Sequence, residues 1–156
     1  MTLTVVRAAK NLPWLRYEAE EIIEAAAART RARYATPGKH TVYDRKVQEA
    51  TRYLAAVEAG QTPANLSKYP YMKREVGPGK TAATALELAN IWVGRNAEWE
   101  EISATIEGIS VQAKADAKAA GRKEDIDAIT AAAVTALDAI GDKPPERPKK
   151  RNNGIR

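Results

Sequence analysis

The stretch "AATALELANIWVGRNAEWEEISATIEGISVQAKADAKAA", residues 82–120, constrains the fold more than any other part of the chain. Within it Ala85, Leu88, Ala89, Trp92, Trp99, Ile102, Ile106, Ile109 and Ala113 recur in steps of three, four or seven. Such steps return side chains to one face of an α-helix, so the spacing predicts a long amphipathic helix whose stripe must be buried. At 1.5 Å per residue it would extend for about 57 Å, unless Gly94 or Gly108 bends it. No part of the chain alternates with period two for long enough to be a strand. Composition points the same way. Ala supplies 31 of 156 residues and Phe none, which favours slim, closely packed helices over a bulky core.

The remaining segments read as further helices. In "PWLRYEAEEIIEAAAARTRARYA" the positions Leu15, Ala19, Ile22, Ile23, Ala26 and Ala27 predict a helix starting near Trp14. Pro13 suits its first turn; Glu18, Glu20 and Glu21 near the start, with Arg29, Arg31 and Arg33 near the end, complement the helix dipole. "TPG", residues 36–38, stops it. "HTVYDRKVQEATRYLAAVEAG" then predicts a second helix ending at Gly60, with Val42, Lys46, Glu49, Ala50, Tyr53, Leu54 and Val57 tracing its faces. So short a connection predicts an antiparallel hairpin. Tyr69–Met72 predicts a short helical turn that Gly77-Pro78-Gly79 stops, and Thr81 is the expected cap of the long helix. After a break at Gly121, Ile126, Ile129, Ala133, Val134, Leu137 and Ile140 predict a last helix from Glu124 to Ile140. The expected fold class is all-α: a helical hairpin, a long Ala-rich helix and a C-terminal helix in an elongated bundle. Residues 1–140 would form a single helical domain, and residues 141–156 a basic tail rich in Pro and Asn.

The net charge of +5 belongs mostly to that tail, where six Lys/Arg meet two Asp/Glu, while the other 140 residues hold 19 basic and 18 acidic side chains. Lys149, Lys150 and Arg151 could contact phosphates, but sequence-specific reading of nucleic acid is not expected. Without cysteine there is no disulfide or thiolate metal site, and one histidine cannot build a His-based zinc site. Nothing resembles a signal peptide or approaches the roughly 20 apolar residues of a membrane span, so a cytosolic pool is expected.

Candidate catalytic patterns are weak. "GPGKT", Gly77 to Thr81, resembles the end of a phosphate-binding loop, yet Arg74 stands where that motif needs its first glycine and no strand feeds it. His40 has Asp44 one helical turn away, but nothing singles out a nucleophile for it to activate. The pairs Glu20/Glu24 and Glu98/Glu101 lack the Glu-x-x-His spacing of a di-iron bundle. No enzymatic activity, metal or cofactor is expected. Trp92 and Trp99, seven residues apart, serve either a core or a partner-facing stripe, since Trp and Tyr are enriched at interface hot spots.

"RARYATPG", "VYDRKVQEATRYLA", "YPYMKREVG" and "TAATALELANIWVGRNAEWEEISATIE" follow one another in an order that resembles a loosely defined family of small helical proteins of tailed bacteriophages and prophages. The likeness covers residues 16–140. It is carried by a Tyr-x-x-Lys-x-x-Glu-Ala element (Tyr43, Lys46, Glu49, Ala50), by Tyr69-Pro70, and by Trp99 with Ile106-Glu107. The basic tail lies outside it. Members are often encoded near tail or tail-fibre genes. The resemblance implies a non-catalytic virion component of the tail region, made in the host cytoplasm. It would be present in several copies and dock helix faces onto larger tail, fibre or connector proteins. Trp92, Trp99, Tyr69, Tyr71, Met72 and Tyr43 are the expected partner contacts. Two alternatives stand beside it: a tail-fibre assembly chaperone absent from the mature particle, and a DNA-associated internal virion protein using the basic tail.

Overall fold

The computed structural model describes residues 11–34 and 40–141. The "TPG" turn and Lys149–Arg151 lie outside the described residues. The fold is all-α, as the periodicity predicts: α1 Leu12–Tyr34, α2 His40–Glu58, α3 Pro70–Glu75, α4 Ala85–Ala119 and α5 Lys123–Ala139.

Local chemistry explains the helix ends. The side chain of Asn11 accepts the Trp14 N–H at 3.0 Å, so α1 opens two residues before Trp14, with Pro13 in its first turn. That earlier start leaves the acidic residues beyond the first turn, and only Arg31 and Arg33 in the last turn complement the dipole. Gly60 (φ +70°) ends α2 in a Schellman motif, Gln61 N–H reaching Ala56 O at 2.8 Å and Gly60 N–H reaching Val57 O at 3.0 Å. The cap of α4 is not Thr81, whose hydroxyl donates to Glu75 at 3.1 Å. Thr84 does that work by accepting the Glu87 N–H at 3.2 Å, while the Glu87 carboxylate accepts the Ala83 N–H at 3.1 Å. This reciprocal Thr-x-x-Glu arrangement is a variant of the capping box. From there α4 runs for 35 residues without interruption at Gly94 or Gly108.

The contacts of the chain group into two compact units, residues 31–108 and residues 1–30 with 109–156. In the first, Ala50 and Tyr53 of α2, Met72 of α3, Ala82, and Leu88, Ala89 and Trp92 of α4 form one buried cluster. In the second, Leu15 and Ala19 of α1, Ala117 of α4 and Ile126 of α5 form another. Polar contacts also hold the second unit. Arg16 donates to Ala120 O at 2.7 Å just past the end of α4, and the Thr30 hydroxyl lies 3.0 Å from Leu137 O. Lys114 pairs with Glu24 at 3.0 Å. Small side chains at Ala19, Ala26, Ala27, Ala113, Ala117 and Ala133 are buried, consistent with close helix packing in an Ala-rich chain.

Candidate functional site

In the unit of residues 31–108, the two motifs on α2 and α3 meet. Glu49 lies on the apolar side of α2 between Lys46 and Tyr53, and only 4% of it is exposed. Its carboxylate crosses to the start of α3, accepting the Tyr71 N–H at 3.0 Å and the Met72 N–H at 3.0 Å. Those donors need it. Tyr69 provides no side-chain cap, Pro70 has no N–H to offer, and the first turn of any helix leaves its N–H groups without internal partners. A carboxylate accepting two backbone N–H groups makes charge-assisted bonds, the stronger kind.

Lys46, one turn earlier, pairs with Glu75 at the far end of α3. Its ammonium also lies 5.3 Å from the centre of the Trp92 ring. Two residues of one α2 face therefore grip both ends of α3. Tyr69 packs edge-on against Tyr53 at 5.7 Å, and Arg52 covers it with its charge 5.5 Å from the ring centre. Beyond α3, Gly77 (φ +135°) and Gly79 (φ +72°) turn the chain back, with Gly77 N–H bonded to Ala82 O at 3.0 Å and Lys80 N–H to Gly77 O at 3.1 Å. The "GPGKT" segment is thus a reverse turn whose own backbone groups bond one another.

The expected partner contacts divide. Trp92 (2% exposed) and Met72 (0%) belong to the core and not to a partner-facing surface. Their long apolar side chains fill the space between α2, α3 and α4. Tyr69, Tyr71, Tyr43 and Trp99 are half-buried. Trp99 sits 5.9 Å from the Tyr34 ring, and Arg31 pairs with Glu107 at 2.6 Å. Burial pushes the Tyr43 phenol above its ordinary value, Arg95 opposing and Glu98 reinforcing the shift. His40 is the first residue of α2. Among the described residues no group of three or more acidic or histidine side chains is arranged to hold a metal. None of the described helices is long and apolar enough to cross a membrane.

Sequence periodicity missed a second feature. Ile22, assigned to the buried stripe of α1, is 45% exposed. It lines an open groove of about 420 Å³ between α1 and α5, with Leu15, Ala19, Ile126 and Val134 as apolar walls and Glu18, Asp127 and Thr135 among its polar lining. Trp14 and Tyr17, 5.8 Å apart, are half-exposed nearby on α1. The signal available in the sequence was the adjacent pair Ile22-Ile23: neighbours on a helix are about 100° apart, so one narrow face cannot take both. Comparison with protein-family models, with curated proteins and with solved structures finds no match to this chain.

Proposed function

We propose that this chain is a non-catalytic structural component of a tailed-phage particle, seated in the tail region and docked onto larger tail, fibre or connector proteins in several copies. The observation that carries the docking is the α1–α5 groove. Exposed Ile22 stands on it, its walls are aliphatic, and a helix face inserted there would bury that surface. The phage context comes from the resemblance, and the structure gives its residues a role compatible with a scaffold. Tyr-x-x-Lys-x-x-Glu-Ala and Tyr-Pro are joined through Glu49 and Lys46, while Trp99 and Glu107 contact Tyr34 and Arg31. Their side chains are engaged in holding helices.

Mass spectrometry of purified particles from the phage or induced prophage that encodes the chain tests this reading. The chain should be present at constant stoichiometry, and an Ile22→Glu variant, exposed enough to fold normally, should be depleted from particles. Absence of the wild-type chain from particles overturns the structural role and leaves the chaperone as the successor.

A further inference from the structure

We infer that the outer face of α2, α3 and the turn after it is a phosphate-backbone binding surface for nucleic acid, separate from the basic tail. Six exposed cations lie on these elements: Arg45 and Arg52 on α2, Lys68 before α3, Lys73 and Arg74 on α3, and Lys80 in the turn. Arg45 and Arg52 are seven residues apart and so share a stripe of α2. That stripe borders α3, because Glu49 between them bonds to α3 and Arg52 lies over Tyr69. Lys80 runs alongside Gly77, folded back beside the end of α3. All six are exposed, and none forms an ion pair among the described residues.

Two of the four carboxylates on α2 and α3 are engaged elsewhere. Glu49 is buried against backbone N–H groups, and Glu75 is paired with Lys46 and accepts the Thr81 hydroxyl. Asp44 and Glu58 are the exposed carboxylates left on α2. The body of the chain is balanced in charge, so this excess is a local concentration of cations and not a general basicity.

What the face lacks chooses its partner. A protein interface has an apolar or aromatic centre, and a peripheral membrane surface needs apolar side chains to insert. Of the exposed large apolar side chains, Trp14, Tyr17, Ile22 and Val111 lie in the other unit, Leu86 on α4 and only Val42 on α2, with none on α3 or the turn. The Tyr69 ring is occupied by Tyr53 and Arg52. Flexible, exposed cations without an apolar centre match a phosphate backbone, whose binding is electrostatic and indifferent to base sequence.

Fluorescence anisotropy of the full chain with fluorescein-labelled duplex DNA of mixed sequence, over a salt series, tests the inference. With about four to six phosphates neutralised, affinity should fall by about two to three orders of magnitude between about 50 and 200 mM salt. A Lys73→Gln/Arg74→Gln variant should lose about two units of the log–log slope, making that fall about tenfold smaller, equally on unrelated sequences. Lys68→Gln/Lys80→Gln, off the helix, should do the same, which guards against misfolding of α3; circular dichroism checks both. A Lys149→Ala/Lys150→Ala/Arg151→Ala chain should retain the slope contributed by this face. The inference is overturned by no binding at about 50 mM salt, by both Gln variants keeping the wild-type slope, or by anionic phosphatidylserine vesicles capturing the chain when DNA does not. Any of these would leave the virion role standing, since that rests on particle composition and the α1–α5 groove.

Discussion

Replacing Glu49 with alanine should be among the most damaging single substitutions in the chain, although it only deletes one charged side chain from a helix. The loss can be worked from its partners. Met72 is fully buried, so its N–H would be left without an acceptor, at roughly 1–3 kcal/mol for an unsatisfied buried donor. Tyr71 is half-buried and its N–H can recover some hydration, adding up to about 1 kcal/mol. Removing a buried carboxylate relieves its own desolvation and offsets part of this. The net expectation is about 2–3 kcal/mol, a large share of a stability that is typically about 5–15 kcal/mol. In urea, with a slope of about 1–3 kcal/mol per molar, the midpoint should drop by about 1–2 M. Trp92 packs in the same cluster as Met72, so tryptophan emission reports the transition. Amide exchange at Tyr71 and Met72 reports the contact itself. Glu49→Gln keeps an acceptor oxygen but loses the charge and introduces an N–H₂ among donors, and should cost about half as much. An unchanged midpoint for Glu49→Ala, together with unchanged exchange at Tyr71 and Met72, would falsify the capping account.

Further substitutions and one pH titration probe the remaining features. Lys46→Met keeps the apolar stem while removing the ion pair to Glu75 and the cation over Trp92; a double-mutant cycle with Glu75→Gln should give a coupling of about 0.5–1 kcal/mol, and a value of zero refutes the clamp. Thr84→Ala should cost about 1 kcal/mol by thermal melting, with Thr81→Ala costing distinctly less; the reverse order would restore Thr81 as the cap of α4. Ser110 is fully buried and its hydroxyl has no hydrogen-bond partner among the described residues, so Ser110→Ala should be neutral or stabilising by up to about 1 kcal/mol. A loss of more than that would mean the hydroxyl is bonded. The Tyr43 phenol is held above its ordinary value of 10.0, chiefly by burial. The folded state therefore holds this proton more tightly, so its contribution is complete below pH 10.0 and disappears as pH rises through the folded value. Tyr43→Phe should flatten that alkaline loss of stability in a pH series of urea midpoints, and an unchanged profile would assign the loss to other groups.

Helix identity was legible because a period of 3.6 needs no knowledge of the partner. The stripes of α4 and α5 could be read directly, and α3 was bounded by its Pro and Gly residues. Caps were less legible. Thr81 and Thr84 are both good cap types, and only the Glu three residues after Thr84 separates them. Burial was misread where one residue type serves two purposes. Trp92 and Trp99 look equivalent at a spacing of seven, yet a residue's burial depends on which element arrives from elsewhere in the chain. Met72, brought by α3, closes over the region of Trp92. Glu49 was the hardest case: a carboxylate 21 residues before Pro70, bonded to a helix it does not adjoin in sequence. Its trace was a charged residue inside an apolar stripe, beside a Tyr-Pro helix start with no cap of its own.

That pairing bears on where function can reside. Glu49 and Lys46 hold α3 at both ends, and the residues that carry the resemblance are largely occupied with contacts inside the chain. A side chain whose polar atoms are already bonded to its own fold has little left for a partner, and displacing it would expose unsatisfied donors of the kind that make Glu49→Ala costly. On the proposed docking role, the partner contacts would fall on surfaces that the fold leaves open. Two such surfaces differ in kind: the aliphatic groove of α1 and α5, and the cationic, apolar-poor face of α2, α3 and the following turn. The first fits burial against a protein helix, and the second fits a screened attraction to phosphates. Their salt dependences should therefore be opposite in character. On the proposed virion role, incorporation into particles should tolerate raised salt, whereas the nucleic-acid binding inferred above should collapse with it. A chain released from particles by the same modest salt that abolishes DNA binding would show that a single electrostatic surface does both, and the assignment of the groove to docking would fall.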